Sequence, residues 1–97
     1  MKFSIRLTDS AIEDLDYFRK NERNIIADGI ALMLTHDANM ESNRRKCLRP
    51  NQVAPWELRI GEYRVFYDLE ADNVVKVVAV GRKKHNELYI RGRKVDL

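Results

Sequence analysis

The chain has 97 residues, of which 44% are hydrophobic, with a formal net charge of +3 and one cysteine. This length suits a single domain over residues 1–97, and the apolar content excludes a disordered chain. Cys47 has no partner for an intramolecular disulfide, and no stretch approaches the ~20 apolar residues of a membrane span, so we expect a cytoplasmic protein without membrane contact.

The N-terminal third predicts one strand followed by two helices. Residues 3–7 alternate apolar and polar side chains, which is typical of a strand. A first helix should begin near Asp9, after residues that can cap it, and end near Lys20. Asn21 is the expected cap of a second helix, whose apolar stripe continues to Leu34.

The rest of the chain predicts a loop, three strands and a final helix. Residues 40–55 are polar and basic, contain both prolines and show no period, which indicates a loop. Residues 56–60, 63–69 and 74–80 have strand patterns with short turns between them, so an antiparallel meander is expected. A short helix is predicted from about residue 84 to Gly92.

The element order is therefore β-α-α-β-β-β-α, an α+β fold. We expect a small, mainly antiparallel sheet of four strands packed on the two N-terminal helices. Because side chains alternate along a strand, Trp56, Leu58 and Ile60 should face the helices. Glu57 and Arg59 should then lie on the opposite, open face, either as an ordinary surface ion pair or as part of a site.

The charge is uneven along the chain. Residues 1–40 carry five Lys/Arg and seven Asp/Glu, whereas residues 41–97 carry thirteen and eight, a net charge of +5. A positive field of this kind favours a nucleic-acid or acidic-protein partner. The simpler alternative is a solvated basic tail that aids solubility.

Three residues stand out as candidates for chemistry. Arg64 lies inside a strongly β-forming apolar run, which indicates either a functional task or a structural salt bridge to Glu57 or Glu62. His85 and Tyr89 are four residues apart, so in the predicted helix they would share a face beside several cations. The sequence has no zinc-binding spacing and no phosphate-cradling glycine loop, so neither a metal nor a cofactor is expected.

The chain resembles the RelE/ParE superfamily of toxin–antitoxin toxins over nearly its whole length. The features that support the resemblance are the leading strand, the two helices, the basic loop and a Val-Gly pair followed at a distance by a tyrosine. Its most specific part is the run Leu58-Arg59-Ile60-Gly61-Glu62-Tyr63-Arg64-Val65-Phe66-Tyr67. It implies a RelE-like fold and a toxin that a cognate antitoxin neutralises in a higher-order complex. We expect the antitoxin to be largely helical and to cover an exposed apolar and basic groove.

Within this superfamily, the RelE-like members cleave mRNA in the ribosomal A site, so mRNA and the ribosome are the implied partners. Attack of a ribose 2′-hydroxyl on the adjacent phosphate needs cations for the developing charge, a base and an acid. The resemblance implies that Arg59 and Arg64 hold the phosphate and that Lys83 occupies the basic position after the glycine. Tyr89 would orient or stack on the substrate base, and His85 is the local candidate for acid or base.

The pattern departs from RelE enzymes at Glu57, where they place a second basic residue. This carboxylate could serve as general base, or it could weaken phosphate binding and mark a different target. The remaining cations of the loop and of the C-terminal segment are expected to contact RNA: Arg44, Arg45, Lys46, Arg49, Arg82 and Lys84.

Two alternatives to a ribonuclease are open. A ParE-like toxin would share the fold but inhibit DNA gyrase and lack nuclease activity. A small basic binding module without activity would explain the charged tail but not the ordered cations. The presence of the arginines, Lys83, His85 and Tyr89 together favours the nuclease.

Overall fold

The computed structural model describes all residues, 1–97. Two helices follow the first strand, and six further strands complete the chain. The elements are β1 (Ser4–Leu7), α1 (Asp9–Asp16), α2 (Lys20–Leu34), β2 (Arg45–Cys47), β3 (Trp56–Ile60), β4 (Tyr63–Glu70), β5 (Val74–Lys84), β6 (Glu87–Ile90) and β7 (Arg93–Val95). Neither helix is long and apolar enough to cross a membrane.

All seven strands form one sheet, in the order β2-β3-β4-β5-β6-β7, and β1 pairs with β5 outside this path. Only the β1–β5 pair is parallel, with Ser4 opposite Val74. The predicted α+β class with a mainly antiparallel sheet is confirmed. The prediction of four strands is wrong, because β2, β6 and β7 add strands at both sides of the meander.

The helix boundaries differ from those predicted. Thr8 caps α1 by accepting a hydrogen bond from the Ala11 amide at 3.1 Å, as its position suggested, but α1 ends at Asp16 and not near Lys20. The N-terminal end of α2 comes earlier than Asn21, since a Glu22 carboxylate oxygen accepts the backbone amide of Arg19 at 3.4 Å. This contact satisfies an amide that would otherwise lack a partner.

The main core lies between the helices and one face of the sheet. Ile26, Ile30 and Leu34 of α2 are buried against sheet residues that include Leu58 and Val65. This spacing places the three α2 residues on one stripe of the helix, and burial of such side chains is the main force that holds a helix to a sheet. The predicted inward face of β3 is therefore confirmed.

Residues 40–55 were predicted to be a loop, but Arg45–Cys47 form the edge strand β2. Lys46 pairs with Glu57 in register, antiparallel to β3. Arg45 fixes this strand to the end of α2 and to the segment that follows it, since its guanidinium donates to the Met33 and Met40 carbonyls at 3.1 and 2.9 Å. A three-residue strand is too short to show a period in the sequence, which is why it was missed.

The predicted C-terminal helix is wrong, since this segment forms a β-hairpin pair instead. His85 and Asn86 have φ values of 52° and 65°, and Arg91 and Gly92 have φ values of 50° and 75°. Two consecutive left-handed residues make a turn whose twist matches that of antiparallel strands, so the chain reverses twice. Leu88 fits the inward spacing of a strand as well as that of a helix, and this ambiguity misled the sequence interpretation.

A second apolar cluster covers part of the open face of the sheet. Ala54, Phe66, Ala79 and Leu88 are buried there under the 48–55 segment and the β6–β7 strands. A bulge between β4 and β5 lets both Val78 and Ala79 turn toward this side, because Phe66 pairs with Ala79 but Tyr67 pairs with Val77. The open face is therefore apolar at one end and charged at the other.

Candidate functional site

Register and alternation decide which side chains share the open face. Arg59 is opposite Arg64, and Arg64 is opposite Gly81. Glu57 is opposite Lys46 on one side and Phe66 on the other. Because paired residues point to the same side of a sheet, the two arginines and Glu57 lie on the face away from the helices.

Three further cations belong to this face. Lys83 lies two residues beyond Gly81 on β5 and pairs with Leu88, which is buried in the second apolar cluster on the open face. The Arg44 carbonyl accepts the Arg59 amide at 2.8 Å, so Arg44 extends the same row at the edge. We call the resulting set the open-face cluster: Arg44, Lys46, Arg59, Arg64 and Lys83. Its only salt bridge to an acidic residue is the one between Arg59 and Glu57.

Glu57 is the one carboxylate within this cluster. Its Oε1 accepts the Arg59 Nε–H at 2.8 Å. The side chain of Glu57 is only 3% exposed, whereas that of Arg59 is 44% exposed. The pair is therefore not an ordinary surface ion pair, because the acid is buried in the sheet surface and holds a partly exposed arginine.

Arg64 makes no salt bridge, so of the two alternatives for this residue the structural pairing with Glu57 or Glu62 is wrong. Its Nη1 donates to the Gly61 and Tyr63 carbonyls at 2.8 and 2.9 Å, and its Nε has no partner. Burial lowers the pKa of Arg64, Glu57 opposes this effect and Arg59 adds to it. Arg64 still carries its charge at neutral pH, because the guanidinium pKa remains far above it. An anion bound to Arg64 would offset the free-energy cost of partly burying its charged guanidinium.

His85 and Tyr89 do not join the arginines. Tyr89 pairs with Arg82, whose side chain lies on the helix face, so Tyr89 also faces the helices. His85 is an exposed residue of the β5–β6 turn, and the predicted shared helical face with Tyr89 does not exist. The Tyr89 hydroxyl donates to Glu87 Oε2 at 2.9 Å, and this bond raises the pKa of Tyr89. The five residues proposed for catalysis are thus divided between the two sides of the sheet.

The residues expected to bind RNA are also divided. Arg82 lies on the helix face, where it pairs with Glu22 and with Glu62, the latter at 2.7 Å. Its guanidinium lies over the rings of Phe18 and Tyr63, at 5.4 and 5.3 Å from their centroids. Arg45 is committed to the carbonyls at the end of α2. Lys84 and Arg49 are exposed and make no ion pair, but neither belongs to the open-face cluster.

The sequence interpretation missed one polar network on the helix face. Tyr63 donates its hydroxyl to Glu22 Oε2 at 2.8 Å, and the same carboxylate pairs with Arg82. Burial raises the pKa of Tyr63, and Glu62 adds to the effect. Glu22 is 41 residues from Tyr63 in the chain, so no local pattern in the sequence indicated this contact.

The open-face cluster can bind a polyanion. Guanidinium groups match phosphate oxygens in pairs, and an array fixed by strands presents its charges at set intervals. No group of three or more His, Cys, Asp or Glu residues in the structure could hold a metal ion. The positive charge on this face comes from arginine and lysine side chains.

Comparison with known proteins relates the chain to toxin–antitoxin systems. Residues 5–87 match the model of a family described as the ParE toxin of the type II toxin–antitoxin system parDE. A search of curated proteins finds no match.

Two solved structures share the fold. The toxin–antitoxin complex RelBE2 from Mycobacterium tuberculosis has a chain with a TM-score of 0.70 at 20% identity, which covers 86% of this chain and 100% of its own. The archaeal RelE–RelB complex from Pyrococcus horikoshii has one with a TM-score of 0.63 at 19% identity, which covers 96% and 99%.

Proposed function

Since the chain belongs to the RelE/ParE superfamily of type II toxin–antitoxin toxins, we propose that it is an endoribonuclease that cleaves mRNA on the open face of its sheet. The observation that carries this proposal is the open-face cluster, where Arg59 and Arg64 are direct neighbours across two strands. Two like charges placed side by side destabilise a sheet unless an anion binds between them. Lys83 lies on the same face as the two arginines, and this grouping of three cations favours a phosphate ligand.

The proposed reaction is attack of a ribose 2′-hydroxyl on its own 3′-phosphorus. A 2′ O–P bond forms, the bond from phosphorus to the 5′ oxygen of the next nucleotide breaks, and the products are a 2′,3′-cyclic phosphate and a 5′-hydroxyl. The 2′-hydroxyl proton leaves to solvent, and the departing oxygen takes one from solvent. Arg59 and Arg64 stabilise the charge that develops on the non-bridging oxygens, and Lys83 stabilises the departing oxygen.

Glu57 acts in this proposal by positioning Arg59. A carboxylate that is 3% exposed and already accepts a hydrogen bond at 2.8 Å is poorly placed to take a proton from a bulky substrate. It is well placed to fix the guanidinium, because Arg carries considerable rotamer freedom that binding would otherwise have to restrict. His85 and Tyr89, on the other side, do not take part in the proton transfers.

Translated mRNA and the ribosome are the proposed targets, with action in the ribosomal A site, and the cytoplasm is the proposed location. A cognate antitoxin neutralises the toxin in a higher-order complex, and both structural neighbours are components of toxin–antitoxin complexes. Acidic antitoxin residues would offset the charge of the open-face cluster, which gives a complex that weakens with salt.

Inhibition of DNA gyrase without nuclease activity is the second candidate. It is favoured by the separation of His85 and Tyr89 from the arginines, which leaves the open face without an obvious acid or base. The family model that matches the chain is also that of ParE toxins.

One experiment separates the two candidates. The protein is induced in a bacterial culture, and mRNA 5′ ends and chromosomal breaks are mapped in the same samples. New 5′-hydroxyl ends within translated reading frames, absent from an Arg64→Ala strain, support the ribonuclease. Gyrase-dependent DNA breaks with intact mRNA would replace it with the second candidate.

A further inference from the structure

The β3–β4 turn, formed by Gly61 and Glu62, is the element that holds Arg64. Arg64 has no acidic partner, and its Nη1 donates to the Gly61 and Tyr63 carbonyls at 2.8 and 2.9 Å. Gly61 has a φ of 55°, a left-handed conformation that glycine adopts without strain, so the direction of its carbonyl is set by this turn. The orientation of the guanidinium on the open face therefore depends on where the turn is held.

Contacts from the helix face hold this turn in place. Arg82 lies opposite Tyr63 in the sheet, and its side chain points toward the helices. The Arg82 Nε lies 2.7 Å from Glu62 Oε2, and its Nη2 pairs with Glu22 of α2. The same Glu22 carboxylate accepts the Tyr63 hydroxyl at 2.8 Å. One arginine thus joins α2 to the turn through two acids.

Aromatic rings also hold Arg82. Its guanidinium lies 5.4 Å from the Phe18 ring centroid and 5.3 Å from that of Tyr63, and the two rings pack edge-on with centroids 5.6 Å apart. Phe18 itself is buried in the main core. A guanidinium suits both kinds of contact, since it stacks on aromatic faces and forms directed bonds to carboxylates. Arg82 is therefore held at a fixed position behind the turn.

The turn connects this helix-face network to the open face. Glu62 contributes its side chain to Arg82, and its carbonyl accepts the Lys83 amide at 2.7 Å. The carbonyls on either side of Glu62 accept the Arg64 side chain. A displacement of the turn would therefore move Arg64 relative to Lys83, and these are two of the three cations assigned to the reaction.

The Glu62 side chain is 56% exposed, so solvent screens its pair with Arg82, and the pair adds little to the stability of the fold. Its effect on geometry is larger, because misplacement of a reacting group by about 1 Å can lower a rate about 10²-fold. We propose that Arg82 is a positioning residue, which fixes the β3–β4 turn from the helix face and so orients Arg64 toward the bound phosphate. In its consequence for rate, this inference rests on the proposed ribonuclease function.

The first test combines Arg82→Met with Arg64→Ala in the full chain. Arg82→Met keeps an apolar stem beside the two rings but removes both ion pairs, and it should lower mRNA cleavage during cell-free translation about tenfold or more. In the Arg64→Ala background the same change should cause no further loss, because the residue through which it acts is absent. Arg91→Met, which also breaks a pair with a buried acid, Asp14, is the matched control and should leave cleavage unaltered.

NMR spectra of the arginine side chains detect the same effect without catalysis. The Arg64 Nε is buried and has no acceptor, so its proton gives a distinct probe of how the guanidinium is held. Arg82→Met should shift the Arg64 Nε–H signal and speed its exchange with solvent, whereas Arg91→Met should not. Glu62→Gln, at an exposed position, should shift the signal by a smaller amount, and it keeps the test decisive if Arg82→Met fails to fold.

The outcomes separate the positioning role from the proposed function. A shifted Arg64 signal, with loss of cleavage only where Arg64 is present, supports the role of Arg82. An unchanged signal in the folded variants, or an equal loss of cleavage in both backgrounds, overturns that role and leaves the ribonuclease proposal standing. A shifted signal in a protein that cleaves no mRNA overturns the ribonuclease and retains the contact between Arg82 and the turn.

Discussion

Replacement of Glu57 by Gln distinguishes a positioning residue from a general base. The amide oxygen of Gln can still accept the Arg59 Nε–H that the carboxylate accepts at 2.8 Å, so Arg59 should stay in place. Glu57→Gln removes the attraction to Arg59 but also removes the cost of burying a charged carboxylate, so its two effects on stability oppose each other. We therefore expect Glu57→Gln to change the free energy of unfolding by less than about 1 kcal/mol.

The effect on rate separates the two roles more strongly. If Glu57 only positions Arg59, Glu57→Gln should lower kcat less than about tenfold, because the hydrogen bond survives. Loss of a general base commonly costs about 10²–10⁴ in rate. Glu57→Ala, which releases Arg59, should lose about 10²–10³, the usual cost of one electrostatic contact in the transition state.

The assay is cleavage of a reporter mRNA during cell-free translation, measured over a range of pH, with urea unfolding of each variant as a folding control. A positioning role predicts that the pH–rate profile of Glu57→Gln keeps the shape of the parent profile. A loss of about 10² or more in Glu57→Gln, together with disappearance of the acidic limb of the profile, would contradict our reasoning and identify Glu57 as the base.

Further predictions concern the open face and the core. Arg64→Ala should lower mRNA cleavage about 10²–10³-fold at nearly unchanged thermal stability, whereas Arg93→Ala, at an exposed position, should leave cleavage unaltered. Equal activity of the two variants in the translation assay would contradict the role of the open face. Asp14→Ala should cost about 2 kcal/mol in urea unfolding, because it strands a buried β5 amide that the carboxylate accepts at 3.0 Å. Burial raises the pKa of the Asp14 carboxyl group above 3.8, so the folded state binds the carboxyl proton more tightly than the unfolded state does. The stability that comes from this proton is present at low pH and is lost as pH rises through the raised pKa, and Asp14→Asn should remove this decline. Gly29→Ala should destabilise the protein by about 1–2 kcal/mol, although alanine has the better helix propensity, because a Cβ at this position would lie 2.5 Å from Ile60. An increase in the melting temperature would show that Ile60 can repack.

Periodicity in the sequence was sufficient wherever one face of an element is buried. The alternation at Trp56, Leu58 and Ile60 gave both the strand and its inward face, since a shift by one residue would expose the whole apolar set. The same alternation gave the opposite orientation of Glu57 and Arg59. It could not show that Glu57 is buried, because that depends on what covers the strand from other parts of the chain.

The C-terminal segment marks where the sequence was insufficient. Leu88 and Ile90 fit a helix or a strand, and the turn at His85 and Asn86 lacks the glycine that usually indicates a turn in a sequence. Pairing with β5 makes residues 87–90 a strand and not a helix, because β6 completes the hydrogen bonds of an otherwise open strand edge. That pairing is a contact between segments, and no local pattern encodes it.

The sequence by itself determined the α+β class, the helix-facing side of the meander and the concentration of positive charge after residue 40, because these follow from composition and local period. Only the tertiary structure decided which cations act together. Arg59, Arg64 and Lys83 share the open face, while Arg82, His85 and Tyr89 lie toward the helices. The physical reason is strand register: neighbouring residues of one strand point to opposite sides of the sheet, and pairing with distant strands sets which side each one takes.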